Sequence, residues 1–277
     1  MATLGAIALP YNPPEQLLSI ARAADNSGLD ELWLWEDSFL TGGIATAAAV
    51  LGATERLSVG VGVLPVPFRN VALAAMEIAT LTRMFGSRSI IGIGHGVQDW
   101  MAQAGVRAES PLTLLREYTG ALRSLLAGTE VTVDGRYVHL DRVRLAWPPD
   151  SPPDILVGAE GPKTKQLAAE IGDGMILVGG TTPADLAALP AGVRRIVVFV
   201  PTAFGADRPD RLAAAGYRHG ESGLAGSPAE VAEGARAWVE AGATTVVLQP
   251  LEGESDPVEF VRIAGASVQP EFKAATS

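Results

Sequence analysis

Short, near-continuous apolar runs alternate along this chain with longer stretches in which apolar residues recur at helical spacing. Residues 4–9, 31–35, 57–64, 89–94, 154–158, 175–179, 195–200 and 244–249 read as strands, most of them apolar at nearly every position, as strands buried on both faces are. Residues 13–27, 44–54, 70–85, 111–126, 162–171, 183–189, 228–241 and 256–264 read as the helices that follow them, and Gly128 suits the end of the fourth. Val71, Ala74, Ile78, Leu81 and Phe85 mark the inward face of the third helix. The last few residues read as loose.

Eight strand–helix steps in 277 residues imply a closed parallel (β/α)8 TIM barrel, an α/β fold read as one domain over residues 1–277. One interruption is expected. Asp134-Gly135 between the runs 131–133 and 136–140 is a hairpin signal, and Trp147 to Pro153 reads as an extended connector, so a small β-hairpin insertion occupies about 129–153. An open doubly wound sheet is the competing architecture; against it, Gly92-Ile-Gly-His-Gly-Val97 has its third glycine misplaced for a dinucleotide fingerprint.

Composition narrows the function. Hydrophobic residues at 48% and charged residues at 19% describe a globular chain with a large core. The formal net charge of −10 argues against nucleic-acid and anionic-membrane partners, and no apolar stretch is long enough to span a bilayer. No export signal is visible, and the absence of cysteine excludes disulfides and thiolate catalysis; both fit a cytoplasmic protein.

Two runs concentrate glycine near strand ends: Leu57-Ser-Val-Gly-Val-Gly-Val-Leu-Pro65 and Arg88-Ser-Ile-Ile-Gly-Ile-Gly-His-Gly96. Without side chains there, a flat ligand is expected to approach the backbone closely, at the strand ends where barrels place their chemistry. Gly161-Pro162 opens a helix whose first amides and dipole suit a phosphate, with Lys163 in the first turn.

Taken jointly, Trp33-Leu-Trp-Glu-Asp-Ser-Phe39, Val59 to Pro65, Ile91 to Gly96, and Ile155 to Thr164 leading into Gly172-Asp-Gly-Met-Ile176 are distinctive. Over roughly residues 4–249 the chain resembles the bacterial luciferase-like family of flavin- and deazaflavin-dependent oxidoreductases, and within it the coenzyme F420-dependent branch that includes methylene-tetrahydromethanopterin reductase. The resemblance implies a (β/α)8 barrel with an insertion and a cis peptide at Gly62–Val63, in a bulge supporting one face of the cofactor ring. It implies phosphate binding by Gly158, Ala159, Glu160, Gly161, Pro162 and Lys163, with Gly179 and Gly180 after the sixth strand. It also implies a homodimer, for which alanine-rich faces of the second and third helices offer close packing. Where the family commonly has Asp-His, this chain has Asp37-Ser38. A serine hydroxyl does not accept a proton unaided, so alcohol oxidation is disfavoured and reduction of a small organic substrate by F420 is expected, with Asp37, Ser38 and His95 handling protons and orientation. The alternatives are an FMN-dependent monooxygenase fed by a separate reductase, and a flavin-binding barrel without turnover.

Other residues have structural readings beside functional ones. Glu36 with Asp37 reads as an acid–base pair or as a helix-initiating acidic cluster, and His95 as a titrating group or a backbone-bonded loop histidine. Gln98, Asp99, Trp100 and Met101 read as pocket lining or hydrophobic closure, Asn70 as a helix cap, and Trp33 and Trp35 as core. No metal is expected, since neither His139 nor His219 has ligand spacing. Lys163 and Lys165 keep a Schiff-base aldolase open as a rival, which requires a desolvated lysine inside the barrel.

Overall fold

A computed structural model describes residues 2–205 and 208–275. The strands are β1 (Thr3–Ala8), β2 (Glu31–Leu34), β3 (Ser58–Pro65), β4 (Ser89–Gly94), β5 (Val131–Asp134), β6 (His139–Val143), β7 (Ile155–Gly158), β8 (Gly174–Leu177), β9 (Arg195–Ala203), β10 (Leu224–Ala225) and β11 (Thr245–Pro250). The helices are α1 (Leu17–Asn26), α2 (Gly43–Ala53), α3 (Val71–Phe85), α4 (Gln98–Gln103), α5 (Pro111–Leu126), α6 (Pro162–Ile171), α7 (Pro183–Ala187), α8 (Arg208–Ala214), α9 (Pro228–Glu240), α10 (Pro257–Ile263) and α11 (Gln269–Ala275).

Parallel pairing runs β1, β2, β3, β4, β7, β8, β9, β11 and returns to β1, so eight strands close the barrel expected from the alternating pattern. Along each strand, alternate residues face in and out. Ile7, Trp33, Leu156, Ile176, Val197, Phe199 and Val247 fill the interior, while Leu4, Leu32, Val59, Val61 and Val198 face the helices. Trp33 meets Phe199 edge to face at 5.7 Å between centroids.

The glycines of β3 and β4 answer this packing, which corrects the expectation of bare backbone. A Cβ on Gly60 would lie 2.5 Å from the Trp33 ring, and one on Gly62 would lie 2.9 Å from Phe199. A Cβ on Gly92 would strike Ile176, and Cβ atoms on Gly94 and Gly158 would each fall 2.8 Å from Val63. The missing side chains make room for Trp33, Phe199, Ile176 and Val63, large beside small, so that the interior is packed. A ligand at this end would meet those side chains.

Three short helices escaped the periodicity reading: α4, α8 and α11. Gln98, Trp100 and Met101 lie in α4, and Met101 is fully buried, so hydrophobic closure is its role. Up to residue 275 the final stretch forms α11, which corrects the loose reading for that part: Phe272 is fully buried, and Gln269 accepts the Asp30 N–H. Residues 276–277, the last of that stretch, lie outside the described residues. The hairpin forms with its turn displaced: Gly135 N–H bonds to Val138 O, and β6 starts only at His139. Glu117 of α5 accepts the Arg136, Tyr137 and Val138 N–H groups, withdrawing those amides from the ladder.

Candidate active site at the barrel mouth

The carboxyl ends of the barrel strands converge on one mouth. Continuing the inward alternation, Leu9, Trp35, Pro201 and Gln249 follow Ile7, Trp33, Phe199 and Val247 at the upper level of the interior, and Val63 joins them from the bulge of β3. Trp35 lies against Phe199 at 5.8 Å, so the floor is apolar and aromatic.

At β3, Val61 and Leu64 pair with Ile91 and Ile93 across a register shift, and the Gly62–Val63 peptide within that bulge is cis, as the resemblance implied. Val63 projects between Gly94 of β4 and Gly158 of β7. That contact puts the junction three residues from Gly161-Pro162, at the same end of the barrel. The bend itself is exposed, and a Cβ on Gly161 would meet nothing within 4 Å. Pro162 opens α6 without a side-chain cap, leaving first-turn amides unspent. Among the described residues, Glu160 and Gly161 N–H groups take no backbone carbonyl, whereas Ala159 N–H donates to Ile176 O at 2.9 Å. Ala159 is therefore buried and already bonded, and Gly158 belongs to the β7 ladder; as amide donors the expected set shrinks to Glu160, Gly161 and the α6 first turn. Pro162 has no N–H to give. Lys163 is exposed, which removes the desolvation a Schiff-base lysine needs.

Gly179 and Gly180 follow the adjacent strand β8. A Cβ on Gly179 would fall 2.5 Å from Gln249 Oε1, so this glycine lets the Gln249 amide reach across; Gly180 has φ +90°, a left-handed conformation natural only to glycine.

After β2 the chain turns sharply. Asp37 is half-buried at the rim, and burial raises its pKa from the ordinary value, opposed by a hydrogen bond from Tyr11 Oη to Asp37 Oδ2 at 3.4 Å. Ser38 is buried and its Oγ has no partner; Trp35 Nε1 and Gln249 Oε1 are likewise buried and unbonded. Such orphaned groups are rare and call for a partner the chain itself does not supply. Glu36 points elsewhere, which corrects the acid–base pairing: both its oxygens take the Arg69 guanidinium at 2.7 and 3.0 Å, and Oε2 also accepts Gly43 N–H at the start of α2. Arg69 reaches Glu77 too, and neighbouring Asn70 caps α3 through Ala72 N–H. His95 follows β4 with Nδ1 2.8 Å from Gly96 O. A carbonyl only accepts, so Nδ1 carries the hydrogen of this contact and Nε2 is the ring nitrogen it leaves over. His219 is structural, its Nδ1 accepting Ala225 N–H. Tyr11, unremarked in the sequence, had no signal beyond its place just after a strand.

A parallel eight-stranded barrel with a bulged third strand, an anion-ready helix start and unpartnered polar groups at one mouth defines a ligand-handling (β/α)8 protein. The model of the luciferase-like monooxygenase family matches residues 2–198, and the chain belongs to that family. It is 33% identical over 184 residues to a 5,10-methylenetetrahydromethanopterin reductase of Methanolobus tindarius, covering 66% of this chain and 56% of the reductase. To an F420-dependent glucose-6-phosphate dehydrogenase of Beutenbergia cavernae it is 30% identical over 275 residues, covering 91% of this chain and 76% of that protein. The chain spans about half the length of several of the curated relatives it matches. Its fold matches an F420-dependent secondary alcohol dehydrogenase in complex with an F420-acetone adduct, with a TM-score of 0.85 at 19% identity over 98% of this chain and 99% of the other. The coenzyme F420-dependent tetrahydromethanopterin reductase of Methanopyrus kandleri superposes with a TM-score of 0.82 at 17% identity, over 98% and 99% of the two chains. Among the described residues no helix is long and apolar enough to cross a membrane.

Proposed function

We propose that this chain is an oxidoreductase passing a hydride between coenzyme F420 and a small organic substrate, in the reductase direction, with residues 1–277 as one domain carrying the insertion at about 129–153. The observation that carries the reading is the shared end: the Gly62–Val63 bulge touches Gly158, just before the Gly161–Pro162 bend. Family membership and the similarity to proteins named F420-dependent support it.

The residues fit such a group. In the closed strand order, β7 and β8 lie four places from β1 and β2, so loops after these pairs face each other across the mouth. The Glu160 and Gly161 amides, the α6 start, Lys163 and Gly179-Gly180 would hold the phosphate of such a group, and the floor of Leu9, Trp35, Val63 and Phe199 would receive its flat ring. When bound, the deazaflavin supplies a hydride donor or acceptor at C5. The protein's tasks are to exclude water with the apolar floor, to hold the ring against Val63, and to move a proton. Asp37, kept toward its neutral form by burial, gives the proton to the substrate atom next to the one that takes hydride. Ser38 Oγ and His95 Nε2 orient substrate or ring.

A homodimer and a cytoplasmic location complete the reading. The outward faces of α2 and α3, with Ala45, Ala49, Leu73 and Met76 exposed and uncharged, support the pairing.

Titration of the purified protein with F420 and with FMN, followed by absorbance and fluorescence, tests this. Binding of F420 well below about 1 mM (about −4.1 kcal/mol) with weaker FMN binding is expected. Tighter FMN binding shifts the reading to a monooxygenase supplied by a separate reductase, and binding of neither overturns both. Binding without turnover on any substrate leaves a flavin-carrying barrel.

A further inference from the structure

We propose that the substrate taken at this mouth is an uncharged molecule with an apolar ring, gripped on the β1–β2 side by Phe39 with Leu40 and Tyr11 beside it; this rests on the mouth being the redox site. Leu40 N–H bonds to Asp37 O, closing a turn whose third residue, Phe39, has φ +71°. That position ordinarily takes Gly or Asn, because a side chain there is strained. The strain brings the ring no packing inside the protein: Phe39 is 66% exposed. A bulky apolar side chain held in an unfavourable conformation and left in water points to a partner from outside.

The surroundings identify the partner. The Tyr11–Asp37 hydrogen bond draws the loop after β1 against the loop after β2, so Tyr11, Phe39 and Leu40, all exposed, lie on one side of the mouth. Apolar surface gathered at a concave site marks ligand binding, where single exposed residues do not. This rim faces the proposed phosphate anchors across the barrel, at the far end of a ring spanning the mouth. Its titratable neighbours are acidic: Asp37 and Glu252 both act on the Tyr11 hydroxyl. The nearby guanidinium of Arg69 is spent on Glu36 and Glu77. An anionic substrate would meet the Glu252 carboxylate and find Arg69 already paired, whereas a neutral ring loses water against Phe39.

Nile red, neutral and excited far from the deazaflavin, probes the rim in the F420-loaded protein. Phe39→Gly suits the positive φ and keeps the fold, so its melting temperature should match or exceed that of the parent. It should weaken Nile red binding about tenfold or more, with recovery in Phe39→Trp, while the F420 dissociation constant moves less than about threefold. Glucose 6-phosphate should not displace the dye. Dye affinity within about twofold of the parent, displacement by the sugar phosphate, a lower melting temperature, or a change in molecular mass that assigns the ring to a second copy would each overturn the proposal. The F420 titration of the parent reports on the cofactor reading alone, so the two failures are separable.

Discussion

Trp33 on β2 and Trp35 just past its end stand two residues apart, facing the same barrel interior, and they differ in what holds their indoles. Trp33 donates its indole N–H to Glu31 Oε2 at 2.8 Å, and Glu31 is held in turn by the Arg195 guanidinium at 2.9 Å. Trp35 is half-buried against Phe199, with its indole N–H buried and unbonded. The lower interior is closed chemically as well as sterically. At the mouth, Ser38 Oγ and Gln249 Oε1 share the condition of Trp35. Inside this barrel the polar groups at the base are bonded to the protein itself, while those at the mouth are left for a ligand.

Four measurements sharpen or break that contrast. The largest effect is expected at the mouth: Asp37→Asn should lower the rate of F420-dependent reduction by about 10²–10⁴-fold while leaving F420 affinity little changed, as read by single-turnover kinetics and by titration. At the base, Arg195→Met strands a buried carboxylate, and urea denaturation should show a loss of about 3–5 kcal/mol. Equal stability of that variant and its parent would mean the lower ion pair is incidental. The indole pair comes next. Trp33→Phe should cost about 1–3 kcal/mol beyond the lost ring contacts by leaving Glu31 short of a donor, and Trp35→Phe should cost less, since no hydrogen bond is broken.

The smallest effect is on pH. Burial raises the Asp37 pKa, so its stabilising contribution is full below the unfolded carboxylate value and is lost as pH rises through the folded value. For Asp173, burial works against ionisation, yet the Arg123 and Arg194 guanidiniums and the Ile155 N–H lower its pKa, so its contribution is present at neutral pH and lost as pH falls. Melting curves against pH for Asp37→Asn and Asp173→Asn should therefore diverge from the parent with opposite slopes.

Alternation of apolar runs with helical periodicity is a local property, and it determined the barrel, its insertion and most element positions. Residues 89–94, 111–126 and 162–171 match β4, α5 and α6 in full. The short helices α7 and α10 were legible behind their prolines, whereas α4, α8 and α11 were not, because so little periodicity resembles a loop. The motif Asp37-Ser38, the Gly62–Val63 junction and the Gly161–Pro162 bend were legible as types of residue at strand ends. What they touch was not. Glu36 and Asp37 are adjacent and chemically alike, and only the distant Arg69 decided that one is bound in an ion pair while the other stays at the rim. The glycines of β3 and β4 were read as open backbone, until side chains from β2, β8 and β9 proved to fill the space. Backbone propensity and hydrophobic period belong to neighbours along the chain. The partner of a polar atom and the filling of a void belong to residues that meet only when the barrel closes.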